Sequence, residues 1–309
     1  VDTLGPFLEI LIGGLLSGVL YSLVALGFVL IFKASSVFNF AQGAMVLLAG
    51  LALVRSLDLL IGYGFPVWAA VVLALVFAGG VMALTAYFAE RFVLGPLVNQ
   101  DSLTLFMATI GLAFILLGAG QIIFGSDVYP LALYPTDAWI LLESVFPGGI
   151  LVNKLDIWGG VIAGLLVAGL AIFFQRTKIG RALRAVADDH SAAQSVGISI
   201  DWIWFVVWLA SGLVALAAAT VWGTKLGVQF SIVFLALKAF PVLIIGGFTS
   251  VPGAIVGGLL IGAGEKLAEA YLGPFIGGGI EYWFAYVVAL LVLLVRPQGL
   301  FGERIIERI

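Results

Sequence analysis

Residues Arg176–Ser199 read RTKIGRALRAVADDHSAAQSVGIS, the longest polar, helix-like stretch in a chain otherwise made of uncharged apolar runs. Leu183, Val186, Ala187, Ala193 and Val196 recur at roughly helical spacing, while Arg181, Arg184, Asp188, Asp189 and His190 fall mostly elsewhere on the wheel. The pattern predicts a short amphipathic helix outside a bilayer. Thr177 or Ser199, with Gly180 and Gly197, supply the breaks that set it apart from the spans on either side. From these residues alone, such a helix either lies on the headgroups, its arginines holding topology, or docks on another protein.

Composition bounds the class. Apolar residues make up 63% of the chain and charged ones 10%, with a mean hydropathy of +1.22. A soluble domain of this length needs far more surface charge, so the chain is read as an integral membrane protein. It has no cysteine, and its one histidine sits in the polar loop, which leaves no basis for disulfides, thiol chemistry or an intramembrane metal site. No phosphate-binding G-x-x-x-x-G-K-[ST] run occurs.

Working outward from the loop, Ile10 to Phe32 holds 23 uncharged residues, enough for one crossing. It is too long an apolar run, with no basic residue before it, for a cleaved signal, and is read as a permanent span. Further spans are predicted at Asn39–Val54, Pro66–Ala89, Leu103–Phe124, Ile157–Phe174, Trp202–Gly223, Ser231–Gly247, Val251–Ala263 and Tyr282–Val295. The expectation is therefore an all-α polytopic membrane protein of about nine transmembrane helices (eight to ten), forming a single domain over residues 1–309, with residues 176–199 as a loop inside it. With that loop cytoplasmic, nine basic residues fall inside (Lys33, Arg91, Arg176, Lys178, Arg181, Arg184, Arg296, Arg304, Arg308) against four outside (Arg55, Lys154, Lys225, Lys266). The bias predicts a periplasmic N-terminus and a cytoplasmic C-terminus. The segment from about Ser126 to Asp156, rich in Pro, Trp and Tyr, then lies outside and is expected to run along the membrane surface.

Ser17–Leu51 and Ala218–Phe248 each read as a glycine-bearing helix, a polar or proline break and a second helix, a weak inverted repeat. Such repeats place a solute path near the midplane, beside broken helices. In the first break, SSVFNFAQG at Ser35–Gly43, Asn39 either caps the following helix or belongs to a turn lining a path, with Phe38, Phe40 and Gln42 as a gate. In the second, Lys238 lies in an apolar run three residues before Pro241, where full burial costs about 2.5 to 3.5 kcal/mol. It either braces the proline break, through carbonyls that Pro241 leaves free, or meets solute. No intramembrane carboxylate is expected beside it, because Glu265, Glu269 and Glu281 read as lying near the outer surface. The pairs Gly14/Gly18, Gly160/Gly164, Gly253/Gly257 and Gly258/Gly262 have the spacing that allows backbone-to-backbone helix contact.

Three of these stretches carry a resemblance. T-x-x-G-R-A-x-R-A-V-A-x-D at Thr177–Asp189 with Ala192, Ala193 and Gly197-Ile198, SSVFNFAQG at Ser35–Gly43, and LKAFPVLIIGGFTSVPGAIVGG at Leu237–Gly258 are similar, and in the same order, to signatures of the permease subunits of branched-chain amino acid ABC transporters. The resemblance implies an ABC importer permease fold in a bacterial inner membrane, moving branched-chain or related small amino acids. Residues 176–199 would be its cytoplasmic coupling loop, with Gly180, Arg181, Arg184, Ala185, Asp188, Asp189, Ala192, Ala193 and Gly197 meeting the ATPase. Phe38, Asn39, Phe40, Gln42 and Lys238 would stand on the translocation path. The implied partners are a second homologous permease subunit, two cytoplasmic ATPase subunits, a periplasmic solute-binding protein and membrane lipid, with no nucleic acid. No cofactor or metal is implied for this chain, ATP being bound by the partners. The alternative reading is a self-contained secondary transporter with inverted repeats.

Overall fold

The computed structural model describes residues 4–97, 100–143, 145–146, 148–188 and 190–302, leaving out the side chains of His190 and Ser191. Their elements run α1 Leu4–Ser35, α2 Gln42–Gly62, α3 Val67–Phe88, α4 Ser102–Phe124, β1 Ala138–Leu141, β2 Ile150–Asn153, α5 Lys154–Arg176, α6 Lys178–Asp188, α7 His190–Ser195, α8 Ile200–Leu226, α9 Leu235–Gly246, α10 Val251–Ile276 and α11 Ile280–Val295. Among the described residues seven helices are long and apolar enough to cross a membrane: α1, α2, α3 with the turns that extend it to Leu97, α4, α5, α8 and α10. Two shorter apolar helices, Phe230–Gly246 and Ile280–Val295, complete the set. A predominantly helical, multi-pass architecture thus follows the apolar runs, with one two-stranded hairpin added.

Two compact units can be distinguished, one from Leu26–Leu133 and Leu166–Ala236, the other from the described residues before and between those segments and from Leu237 onward. In the first, α2, α3 and α8 pack on one another and α4 lies against α2. Met45, Met82 and Trp208 are fully buried there, and Gly212 on α8 gives Met82 and Met45 the room a Cβ would occupy. An isolated antiparallel bridge joins Tyr129 to Val228, and Arg55 lies 4.9 Å over the Tyr129 ring. α2 thus continues past Val54, where the sequence reading ends it, to Gly62, with Arg55 accommodated inside the helix by that cation–π contact.

In the other unit, α10 and α11 pair. The Gly14/Gly18 face of α1 meets the Gly258/Gly262 face of α10 so closely that a Cβ on any of the four would strike backbone or Ser22. Ser22 Oγ donates across the same seam, with the Ala254 carbonyl 3.0 Å away. Gly253 and Gly257 serve α9 in the same manner, against Gly246 and Val242. Gly160 and Gly164 have no such partner: a Cβ at Gly164 would meet nothing within 4 Å. Small-xxx-small spacing therefore found two close seams, and one pair where Gly160 stands in ordinary contact with the Leu16 side chain and Gly164 is open.

The helix expected to end at Ala263 runs on to Ile276. Its polar residues were read as leaving the membrane, but each is held within the fold. Glu265 pairs with Lys238, Lys266 pairs with Glu281 at 3.0 Å, and Glu269 accepts from the N–H groups of Gly279 and Glu281 at 2.9 and 3.2 Å. Those last two bonds cap α11, satisfying donors that a helix N-terminus leaves open.

The segment expected to run along the surface contains the hairpin, with Ala138 opposite Asn153 and Leu141 opposite Ile150. Phe146, Ile150 and Val152 cluster with Leu8, Ile12, Leu16 and Ile157, while Glu9 accepts the Leu151 N–H at 3.2 Å. At the open end, Lys154 donates to Asp137, and this hydrogen bond holds the exposed Asp137 carboxyl below its ordinary range. After α11 the chain returns to α9. The N–H groups of Leu300 and Phe301 donate to the Ile245 and Gly246 carbonyls at 2.7 and 3.2 Å, filling acceptors at the helix C-terminus.

Candidate functional site

Three features carry polar chemistry. The first is the break between α1 and α2. α2 begins at Gln42 with Ala41 before it and no side-chain cap, so Asn39 is not its N-cap. Instead Asn39 Oδ1 accepts the Ala41 N–H at 3.0 Å, a local turn, and its amide donates to Gln42 Oε1 at 3.3 Å. Ser211 Oγ on α8 stands 2.8 Å from Gln42 Oε1 and 3.0 Å from the Gly27 carbonyl, so its single proton serves both acceptors. Thr109 on α4 accepts the Phe40 N–H at 3.1 Å and lies 3.2 Å from the Phe38 carbonyl. Around this frame Phe38 stacks on Phe28 at 4.8 Å, and Phe106 meets Phe40 edge-on at 6.1 Å. Asn39 and Gln42 are wholly buried, whereas the Phe40 ring is 44% exposed. Gln42 Nε2 is buried without a hydrogen bond. Sequence reasoning missed Thr109 and Ser211; their signal was a hydroxyl set in the interior of an apolar span.

The second feature is Lys238. Its ammonium lies 3.4 Å from the Tyr21 hydroxyl, 3.4 Å from the Glu281 carbonyl and 3.6 Å from Glu265 Oε2. The rings of Tyr21 and Tyr282 flank it at 5.4 and 5.7 Å. A carboxylate does stand beside this lysine, contrary to the sequence expectation, because α10 continues past Ala263 and turns Glu265 inward to 1% exposure. Nor does Lys238 fill the carbonyl that Pro241 leaves free. That acceptor, on Leu237, takes the Tyr286 hydroxyl at 3.0 Å.

The third feature is the polar loop, whose described residues form the helices α6 and α7 on either side of position 189. Thr177 Oγ1 accepts the Gly180 N–H at 3.0 Å, so the helix starts at Lys178 and Gly180 lies inside it. Gly180 is buried because a Cβ there would strike the Phe173 and Phe174 carbonyls. Arg184 reaches back to donate to the Phe174 carbonyl at the end of α5. Leu183, Val186 and Ala193 face inward, Ala193 at 2% exposure, and α6 and α7 rest on α8. Arg181, Arg184, Asp188, Ala192 and Gly197 are exposed, Ala185 partly so, and Val196 is 75% exposed. Gly197 adopts φ +87° to end the loop, and Ser199 caps α8 by accepting the Trp202 N–H. Asp189 lies outside the described residues. No group of three or more His, Cys, Asp or Glu among the described residues could hold a metal ion.

Apolar helices of membrane-spanning length, with polar centres at two helix breaks and a polar loop resting on α8, are features of a membrane permease. Residues 10–296 match the family described as branched-chain amino acid transport system, permease component, and the chain belongs to that family. It is 29% identical over 307 residues to the permease protein BraD of the high-affinity branched-chain amino acid transport system of Pseudomonas aeruginosa, covering 98% of each. Over 311 residues it is 29% identical to the corresponding permease LivH of Salmonella typhimurium, again covering 98% of each. A probable LivH of Methanocaldococcus jannaschii is 29% identical over 312 residues, 95% of this chain and 92% of that protein.

Proposed function

We propose that this chain is the membrane-spanning subunit of an ABC importer that carries branched-chain or related small amino acids into the cytoplasm. The observation that carries the reading is the family match over residues 10–296. ATP is hydrolysed on two separate cytoplasmic subunits. A second homologous permease subunit completes the membrane part, and a periplasmic binding protein delivers solute. The N-terminus is periplasmic and the C-terminus cytoplasmic, an orientation supported by the bias of basic residues.

The loop at 176–199 couples hydrolysis to transport. Its exposed face (Arg181, Arg184, Asp188, Ala192, Val196) seats on an ATPase, while its buried face (Gly180, Leu183, Val186, Ala193) passes displacement to α8. Movement of packed helices between two arrangements is the form such a step takes. Phe38, Asn39, Phe40 and Gln42 stand on the path, and the buried Asn39–Gln42–Ser211 network is its closed state.

Reconstitution in proteoliposomes tests this. The full complex should accumulate L-leucine only with ATP and binding protein, and this chain alone should do neither ATP hydrolysis nor uptake. Gradient-driven leucine uptake by the chain alone would replace this reading with a self-contained secondary transporter.

A further inference from the structure

The cluster around Lys238 is incompletely satisfied. Among the described residues Glu265 Oε1 is buried without a hydrogen bond, while the carboxylate's partners are the Tyr21 hydroxyl and the Lys238 ammonium, the latter 3.6 Å from Oε2. Every contact of Lys238 Nζ, at 3.4 to 3.6 Å, is longer than the 2.7–2.9 Å (roughly) of a tight charge-assisted bond. An acceptor left unmade on a buried charged group is costly, so a carboxylate in this state favours a further donor. Beside it Lys266 and Glu281 form a second, partly exposed pair. The two pairs cancel in charge. Tyr21 and Tyr282 offer ring faces to a cation. The Lys238 side chain is 24% exposed and Tyr282 is 70% exposed, so the cluster has an open side.

We propose that this cluster is a binding site for zwitterionic α-amino acids, an inference that rests on the amino-acid permease reading above. The solute ammonium takes Glu265 Oε1, between the tyrosine rings, and the solute carboxylate takes the Lys238 ammonium as it leaves Glu265 Oε2. One loose internal pair is exchanged for two intermolecular ones, with no net charge added to the membrane interior. A sugar, urea or an amide brings no charges to compensate the separated pair and is excluded. Lys238 is thus the resident occupant of an ammonium site as well as half of a carboxylate site.

The assembled complex in proteoliposomes, with L-leucine as the probe, tests the proposal. Glu265→Gln keeps the shape and removes the charge; leucine uptake should fall at least about tenfold, the loss of one charge-assisted bond, in complexes matched for the amount assembled. The exchanged pair, Lys238→Glu with Glu265→Lys, keeps an internal ion pair but reverses it, and should assemble without carrying leucine. Wild-type uptake should resist competition by isopentylamine or 4-methylpentanoate, which each carry half of the charge pattern. Full uptake by Glu265→Gln or by the exchanged pair overturns the site and leaves a structural brace. Should neither variant assemble, competition decides, and inhibition by either half-molecule as strong as by L-valine overturns it. A wild-type complex that carries no amino acid overturns the functional reading itself, and this site with it.

Discussion

The Tyr286 hydroxyl donates to the carbonyl of Leu237, the residue four before Pro241, at 3.0 Å. Proline has no N–H for the carbonyl one helical turn back, so α9 would carry an orphan acceptor in its apolar setting. A phenol from α11 fills it. Tyr286→Phe should destabilise the purified protein by about 0.5–2 kcal/mol, read from thermal unfolding in detergent. In a Pro241→Ala background, where the restored N–H takes the Leu237 carbonyl, the same change should cost less than half as much.

The α1–α10 seam makes a second prediction. Gly258→Ala places a methyl against Ser22 and the Gly18 carbonyl and should cost about 1–3 kcal/mol. Gly164→Ala meets nothing within 4 Å and should be neutral or slightly stabilising. Equal effects would mean that the seam has slack which the packing does not suggest.

In the loop proposed to couple ATP hydrolysis to transport, neighbouring alanines should behave differently. Ala192 is exposed and Ala193 is 2% exposed. Ala192→Trp should leave insertion and thermal stability intact while abolishing solute-stimulated ATP hydrolysis in the complex. Ala193→Trp should loosen the loop from α8, seen as rapid proteolysis at residues 176–199 before any functional assay. A cysteine at position 192, in a chain with none of its own, should crosslink to the ATPase subunit.

The outer hairpin is expected to respond to acid. Lys154 donates to Asp137 and holds that carboxyl below its ordinary value, so the pair favours the folded hairpin above the ordinary carboxylate pKa of about 3.9. The contribution is lost as pH falls through the lowered value. Trp139 lies 5.6 Å from Lys154 Nζ and should report the loss by fluorescence. Lys154→Met should move the acid transition to higher pH, and an unmoved midpoint would show that the pair does not hold the hairpin.

Much of this was legible from the sequence because apolar length and helix breaks are local properties. The runs around Leu103–Phe124 and Trp202–Gly223 became α4 and α8 with small shifts, and Gly197 and Ser199 ended and began helices as their chemistry predicts. What failed was long-range pairing. Glu265 read as a surface residue because its partner, Lys238, lies 27 positions away on another helix. Charge inside an apolar helix is ambiguous until its counterion is known. The same holds for Gln42, whose partner Ser211 sits on α8, and for Ala193, whose small side chain suited a docking face as well as an internal one. Periodicity places a residue on a stripe, and only packing says which stripe turns inward.

The hydrogen bonds from Leu300 and Phe301 to the last carbonyls of α9 make the chain's return segment a mechanical extension of that half-helix. Any tilt or unwinding of α9 must drag residues 299–302 with it or break both bonds. A fluorophore or spin label at Phe301, 49% exposed, is therefore a strain gauge on the Lys238 helix, readable from outside it without touching a residue of the cluster. By the same linkage a bulky fusion attached close behind Gly302 acts as a load on α9, and a tag placed there belongs behind a flexible spacer.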